Sequence, residues 1–146
     1  MIPGSVTEVR VRYAETDQMG RAHHMAYVAW FELARTEMMR QTGISYADME
    51  RRGILLPVVR LEVDYLKGVA YEDVIDVHTS VADVRSRRVQ FDYRVVARES
   101  DLIVAEATSV LVCMGRDGRP RRLPDDVRRA LASLVPSLEE SGGQPA

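Results

Sequence analysis

The sequence predicts an α+β domain: a curved antiparallel sheet of about five strands wrapped round one long central helix. Three observations predict it. The segment from His24 to Gln41 has helical length, and its first half, from Met25 through Trp30 to Ala34, carries almost no polar side chain. A helix that is apolar all round is buried on most sides. Four segments after it alternate apolar and polar residues, as half-buried strands do. The links between them are of hairpin length, too short for the crossovers that parallel strands need. In a chain of 146 residues, only a sheet folded round the helix, or a partner subunit, covers so much apolar surface.

Each element has its own reason. Val6 to Tyr13 is the first strand, with Val9, Val11 and Tyr13 on one face and Glu8, Arg10 and Arg12 on the other. The long helix follows a polar loop. Glu32, Arg35, Glu37 and Arg40 polarise its second half, with Glu32 placed to pair with Arg35 or a neighbouring strand, or else to stand as a second carboxylate in a site. Gly43 closes it in the C′ position. Ser45 to Arg52 is a short helical turn ended by Gly53. Pro57–Leu66, Asp73–Val84, Arg88–Arg98 and Leu102–Met114 are the four later strands. Glu99-Ser100-Asp101 is a hairpin link. Val110 to Met114 is apolar on both faces, which fits a central strand or a subunit contact. Pro124 opens a short C-terminal helix, with Asp125 and Asp126 well placed in its first turn. One domain is expected over residues 1–136. Residues 137–146, rich in Ser, Gly, Glu and Pro, have little to bury and read as a flexible tail.

Composition removes several classes of function. A net charge of −2 gives no reason to expect nucleic acid or an anionic membrane as partner. The single cysteine, Cys113, excludes an internal disulfide and suits a reducing cytoplasm. Its apolar strand makes it a small buried hydrophobe. No Cys/His set has metal-ligand spacing, so no metal is expected. The first twelve residues lack the apolar core of a signal peptide, and no apolar run is long enough to span a bilayer. Gly115-Arg-Asp-Gly-Arg119 is a turn, not a phosphate loop. There is no Gly-x-Ser-x-Gly elbow, which excludes the serine-hydrolase route to ester cleavage on an α/β-hydrolase fold.

The chemistry concentrates between Tyr13 and Thr36. Asp17 lies in a loop, Gly20 allows a tight turn, and His23 and His24 stand just before the apolar helix. A helix N-terminus presents free N–H groups and partial positive charge. It can hold a carbonyl oxygen that is becoming negative while an acid attacks, or activates water, beside it. Two readings of Asp17 stand on the residues alone: a catalytic acid, or a turn or capping residue. The paired histidines are equally open to a surface or core role. His78 falls on the polar face of a strand and is expected in solvent. Arg85, Ser86, Arg87 and Arg88 crowd the start of one strand, and Arg116, Arg119, Arg121 and Arg122 the exit of another. Each cluster reads as solvated surface or, beside a cleft, as a phosphate site, because Arg forks match phosphate oxygens.

The run VRYAETDQMGRAHHMAYVAWFELART resembles the opening motif of the hotdog-fold acyl-CoA thioesterases, in the 4-hydroxybenzoyl-CoA thioesterase group and its YbgC-type members. Tyr13, Glu15-Thr16-Asp17, Gly20, His24, Tyr27, Phe31-Glu32 and Ala34-Arg35-Thr36 match it without gaps, and the likeness continues to about Pro124. The resemblance implies hydrolysis of an acyl-CoA thioester, with coenzyme A as part of the substrate and no separate cofactor. It implies Asp17 as nucleophile or general base. The backbone around His24 and Met25, with Gly20 in the turn, would polarise the thioester carbonyl. Tyr27, Val59 and Arg60 would wall the acyl pocket, and Ser86, Arg87 and Arg88 would take the coenzyme A phosphates. It also implies a homodimer or a dimer-of-dimers tetramer, with the site between two subunits. One departure is Lys67 to Glu72, where relatives carry a Pro-containing turn. Three other readings stay open on this fold: an acyl-CoA binding or sensing module that does not cleave, a structural interaction protein, and, least supported, a hydratase.

Overall fold

The computed structural model describes residues 4–136. The order of elements is β1 (Gly4–Arg10), a 3-10 turn (Tyr13–Glu15), α1 (His24–Gln41), α2 (Tyr46–Arg51), β2 (Val58–Tyr65), β3 (Val74–Val84), β4 (Arg88–Ala97), β5 (Leu102–Val112) and α3 (Asp125–Ala132). The strands form one sheet in the order β1-β3-β4-β5-β2. Every pairing in it is antiparallel. The expected tail, 137–146, lies outside the described residues.

Alternation decides which face is inside. On β3, Ile75, Val77, Thr79 and Val81 are buried; on β4, Val89, Phe91, Tyr93 and Val95 are. These rows meet Tyr27, Trp30, Phe31, Ala34, Met38 and Met39 of α1, all buried. This is the hotdog arrangement that the resemblance implies: an antiparallel sheet curved about one long helix. β5 lies inside the sheet, between β4 and β2, as its two apolar faces suggest.

Two expectations are corrected, and the helix has the incomplete cover that its apolar length implies for a single sheet. Strand β1 stops at Arg10 rather than Tyr13, because the chain turns through a 3-10 bend that aims Tyr13 outward at 77% exposure. Strand β2 has almost no cover: Val58, Val59 and Tyr65 are exposed and only Leu61 and Val63 are half-buried. Helix α1 is not enclosed on all sides by the sheet: Met25 is 66% exposed, Val28 43% and Leu33 45%. Tyr65 of β2 reaches the start of α1 at Tyr27 and His24 O.

The register fixes the two ends of the sheet. Arg10 pairs with Val74, Ile75 with Ala97, Ala97 with Leu102, and Tyr65 with Ala105. The end of β1 and the loop that leads into α1 are therefore at one end. The β3–β4 turn, Arg85–Arg87, is at the other, roughly 35 Å away along β3 at about 3.3 Å per residue.

Candidate active site

The loop from β1 to α1 is a hydrogen-bonded frame. Thr16 bridges Ala22, and Arg21 bridges Ala70. Asp17 N–H donates to Arg21 O at 2.8 Å, and Gly20 N–H donates to Asp17 O at 3.0 Å. Gly20 sits at φ +77°, a backbone conformation that suits glycine. Asp17 Oδ1 accepts from Met19 N–H at 2.8 Å and Arg21 N–H at 3.3 Å, closing the turn as an Asx motif. No hydrogen bond to Asp17 Oδ2 is found among the described residues. One carboxylate oxygen holds the turn, as the capping or turn reading of Asp17 expects, and the other meets no donor among the described residues.

The start of α1 is capped by His23, whose Nδ1 accepts from Met25 N–H at 3.1 Å. An acceptor at Nδ1 requires the imidazole to carry its proton elsewhere. Ala26 N–H donates to His23 O at 2.9 Å. Among the described residues, His24 N–H meets no acceptor. Of the two donors expected here, the Met25 amide is thus occupied and the His24 amide is open. The imidazoles of His23 and His24 stack at 4.5 Å.

Aromatic side chains surround this helix end. Tyr27 is buried and packs on Trp30 at 4.7 Å and edge-on to Tyr65 at 5.1 Å. Burial, aided by Tyr65, pushes the Tyr27 hydroxyl above its ordinary value, so it stays a neutral donor. Tyr65 Oη donates to His24 O at 3.4 Å. Tyr13 and Tyr71 meet edge to face at 5.7 Å on the outer rim. The loop lacking proline is tied down by other means. Ala22 N–H donates to Val69 O at 2.7 Å, Glu72 N–H donates to Val11 O at 3.0 Å, and Asp73 Oδ2 accepts from Ala70 N–H at 2.8 Å.

The structure brings Asp17, Gly20, His24, Met25 and Tyr27 to one end of the sheet. It does not bring Val59, Arg60, Ser86, Arg87 or Arg88 to them within one chain. Val59 and Arg60 sit at the far end of β2, beside a bulge in its pairing with β5. Ser86, Arg87 and Arg88 join the second arginine cluster instead: Cys113 N–H donates to Arg87 O and Leu123 N–H to Ser86 O, both at 2.8 Å. An open cleft of about 480 Å³ there is lined by Arg85, Ser86, Arg87, Arg88, Val112 and Pro120. A smaller one of about 180 Å³ joins Ser86 to Arg122, Asp125 and Arg128. Arg122 of the second run of arginines thus meets the first run at Ser86. His78 is exposed on the outer face, as expected, and Cys113 is buried. Among the described residues, no group of three or more His, Cys, Asp or Glu side chains is placed to hold a metal. Among the described residues, no helix is long and apolar enough to cross a membrane.

Three residues escaped the sequence reading. Glu15 is buried and hydrogen-bonded to Trp30; Glu32 forms no ion pair with Arg35 among the described residues. Arg35 donates instead to Tyr46 and Tyr93, each at 3.1 Å. His23, not a Ser or Asp, supplies the helix cap. The position of His23 next to an apolar helix was the only signal for the cap. Glu15–Trp30 spans fifteen residues and had none.

A family model described as the thioesterase-like superfamily matches residues 11–131. The acyl-CoA thioester hydrolase YbgC of Escherichia coli is 32% identical over 120 residues, 82% of this chain and 89% of that one. A Bacillus subtilis protein provisionally named an acyl-CoA thioesterase, YneP, is 36% identical over 113 residues, 77% of this chain and 81% of its own. The crystal structure of a DHNA-CoA thioesterase from Staphylococcus aureus superposes with a TM-score of 0.88 at 34% identity, covering 100% of this chain and 98% of that one.

Proposed function

Because the chain belongs to the thioesterase-like superfamily, we propose that it hydrolyses an acyl-CoA thioester to the free acid and coenzyme A, with Asp17 as its reacting carboxylate. The observation that carries this reading is the split role of that carboxylate. Oδ1 is fixed by the Met19 and Arg21 amides, while Oδ2 is free, on the same hydrogen-bonded frame as the open His24 N–H.

The thioester carbonyl oxygen accepts from His24 N–H, at the positive end of α1. As the carbonyl carbon becomes tetrahedral, the charge on its oxygen grows, and the amide and helix field stabilise it more than the ground state. Asp17 acts from the other side. Either its Oδ2 attacks the carbon and forms a mixed anhydride that water later opens, or it takes a proton from a water that attacks directly. In both routes the C–S bond breaks, the sulfur leaves as thiolate and takes up a proton, and a C–O bond from water ends in the acid. Water is the only co-reactant, so no cofactor is called for. The stacked His24 ring is a second donor to the leaving region. Tyr27 and Tyr65 wall the acyl group.

The remaining predicted residues join the site through a second copy. Strand β2 is an open edge whose backbone groups on one side have no partner strand, and such edges pair readily. A two-fold axis through that edge sets β2 antiparallel to its copy. Val59 and Arg60 of a second copy then come level with Tyr65 and His24. The second copy's arginine end lies beyond them, on the side where a coenzyme A tail would extend.

The test is free-thiol release from short, long and aromatic acyl-CoAs, by the wild type and by Asp17→Asn. Asparagine keeps an Oδ1 for the two turn amides, so the variant is expected to fold while losing about 1000-fold in kcat. No thiol release by the wild type from any substrate, with binding retained, would promote the non-cleaving acyl-CoA module.

A further inference from the structure

Glu15 is the only acid in the buried class among the described residues, and none of the chemistry above uses it. Its Oε1 accepts from Arg12 N–H at 2.8 Å. Its Oε2 accepts from the Trp30 indole N–H at 2.8 Å and from the Arg12 guanidinium at 3.4 Å. Its backbone oxygen accepts from His23 N–H at 2.6 Å. One residue therefore ties the exit of β1, the cap of α1 and the second turn of α1 together. Asp17 follows it by two positions, and His24 follows the His23 that it holds.

A buried carboxylate is a costly way to hold two elements together, since desolvation opposes it and a hydrophobic residue packs more cheaply. Its one ionic partner, Arg12, is 76% exposed and contributes little. What a carboxylate offers instead is two acceptor oxygens facing two donors. Glutamine has one such oxygen and turns an NH₂ toward the other donor.

We propose that Glu15 is a positioning residue for thioester cleavage: its bonds to Trp30, Arg12 and His23 hold the Asp17 turn at a constant distance from the His24 amide. The proposal rests on Asp17 being the reacting carboxylate. Burial alone would raise the Glu15 carboxyl, but the Arg12 amide, the Trp30 indole and the Arg12 guanidinium together bring it below its ordinary value. It is therefore ionised, and both oxygens accept, throughout the neutral range.

Trp30 is the chain's one tryptophan, so its emission reads the bond to Glu15 directly. The experiment compares Glu15→Ala, Glu15→Gln, Trp30→Phe and Asp17→Asn with the wild type. It measures kcat, KM, circular dichroism and, where Trp30 is retained, fluorescence. A displacement of about 1 Å in a reacting group costs on the order of 100-fold, so Glu15→Ala is expected to lose about that much kcat. Its KM should change no more than about threefold, because the binding walls are untouched. Glu15→Gln should recover part of the loss, and both variants should shift the Trp30 emission. Trp30→Phe keeps a ring but not the N–H, so it should lose kcat in the same sense with its circular dichroism unchanged. Adding Glu15→Ala to Asp17→Asn should cost nothing further, since a positioning residue acts through the group it positions.

Wild-type kcat in folded Glu15→Gln and Trp30→Phe would overturn the proposal, as would losses that multiply in the double variant. If Glu15→Ala does not fold, those two milder variants decide the matter. Full turnover by Asp17→Asn would sink the Asp17 reading itself, and this proposal with it. Loss in Asp17→Asn beside an unaffected Glu15 series would sink this proposal alone.

Discussion

Tyr46 shows how a single side chain reports the chemistry around it. It sits at the start of α2, accepts from Arg35 Nε at 3.1 Å, and is packed against α1. Burial pushes its hydroxyl up to about 12, and the nearby Arg35 charge only partly opposes that. In the unfolded chain a tyrosine titrates near 10. The folded value is the higher, so the contribution to stability is whole below about pH 10 and is lost as pH rises toward 12. The wild type is expected to weaken over that window, and Tyr46→Phe to weaken less steeply although it starts lower for want of the Arg35 bond. Urea midpoints from pH 8 to 11 check it, and parallel curves for the two proteins would refute it. None of this was legible beforehand. Arg35 was visible as a charge on a helix, and Glu32 was its natural partner at i−3. A guanidinium that turns inward to two tyrosines from other elements is a tertiary fact. Asp17 differs because its turn is local: an Asp followed by Gly three residues on, just before an apolar helix, writes its own hydrogen bonds.

Elements were legible wherever a period ran uninterrupted. The predicted helix, His24 to Gln41, is the observed α1, and the β3, β4 and β5 strands begin within a residue of their expected starts. The reading slipped at β1, where the alternation continued through Tyr13 but Glu15 reached back to the Arg12 amide and bent the chain. At α1 it left the cover open between sheet and partner, since an all-apolar helix says how much surface needs cover and not what covers it. The cap of α1 gives a sharp test at this scale. Among the described residues, His23 Nδ1 is the only side-chain acceptor at that end, so His23→Ala should cost about 0.5–2 kcal/mol, as lost N-caps do. His23→Ser should restore most of it, because serine is a better cap than histidine by preference. Thermal midpoints of the three proteins decide this. A His23→Ala midpoint equal to that of the wild type would mean that the stack on His24, not the cap, sets the ring's position.

At the scale of the whole molecule, the residues proposed for the site lie at opposite ends of one chain's sheet. The Asp17 turn and the His24 amide are at the end where β1 finishes and β3 begins. Arg85, Arg87 and Arg88 are at the end where β3 finishes. The separation of about 35 Å is too long for one substrate to bridge across the sheet. The proposed pairing of β2 edges about a two-fold axis would remove it, since antiparallel sheets place opposite ends side by side. The consequence is testable without a structure of the assembly. Asp17→Asn should fail in kcat, and a double variant Arg87→Ala, Arg88→Ala should fail chiefly in KM, so at low substrate neither alone turns over appreciably. In a mixed dimer the two defects meet in one site and leave the other intact. If subunits exchange at random, half of the dimers are mixed and each has one good site. Co-refolding equal amounts should therefore recover about a quarter of wild-type activity. Activity that stays at the level of the separate variants, with mixed dimers shown to form, would mean that each chain builds its site alone. The arginine end would then be plain solvated surface. Recovery would place the acid and the phosphate grip on different chains. It would also explain how Val59, Arg60 and the Ser86–Arg88 turn can serve the site that the resemblance implies for them, although they lie far from Asp17 in a single copy.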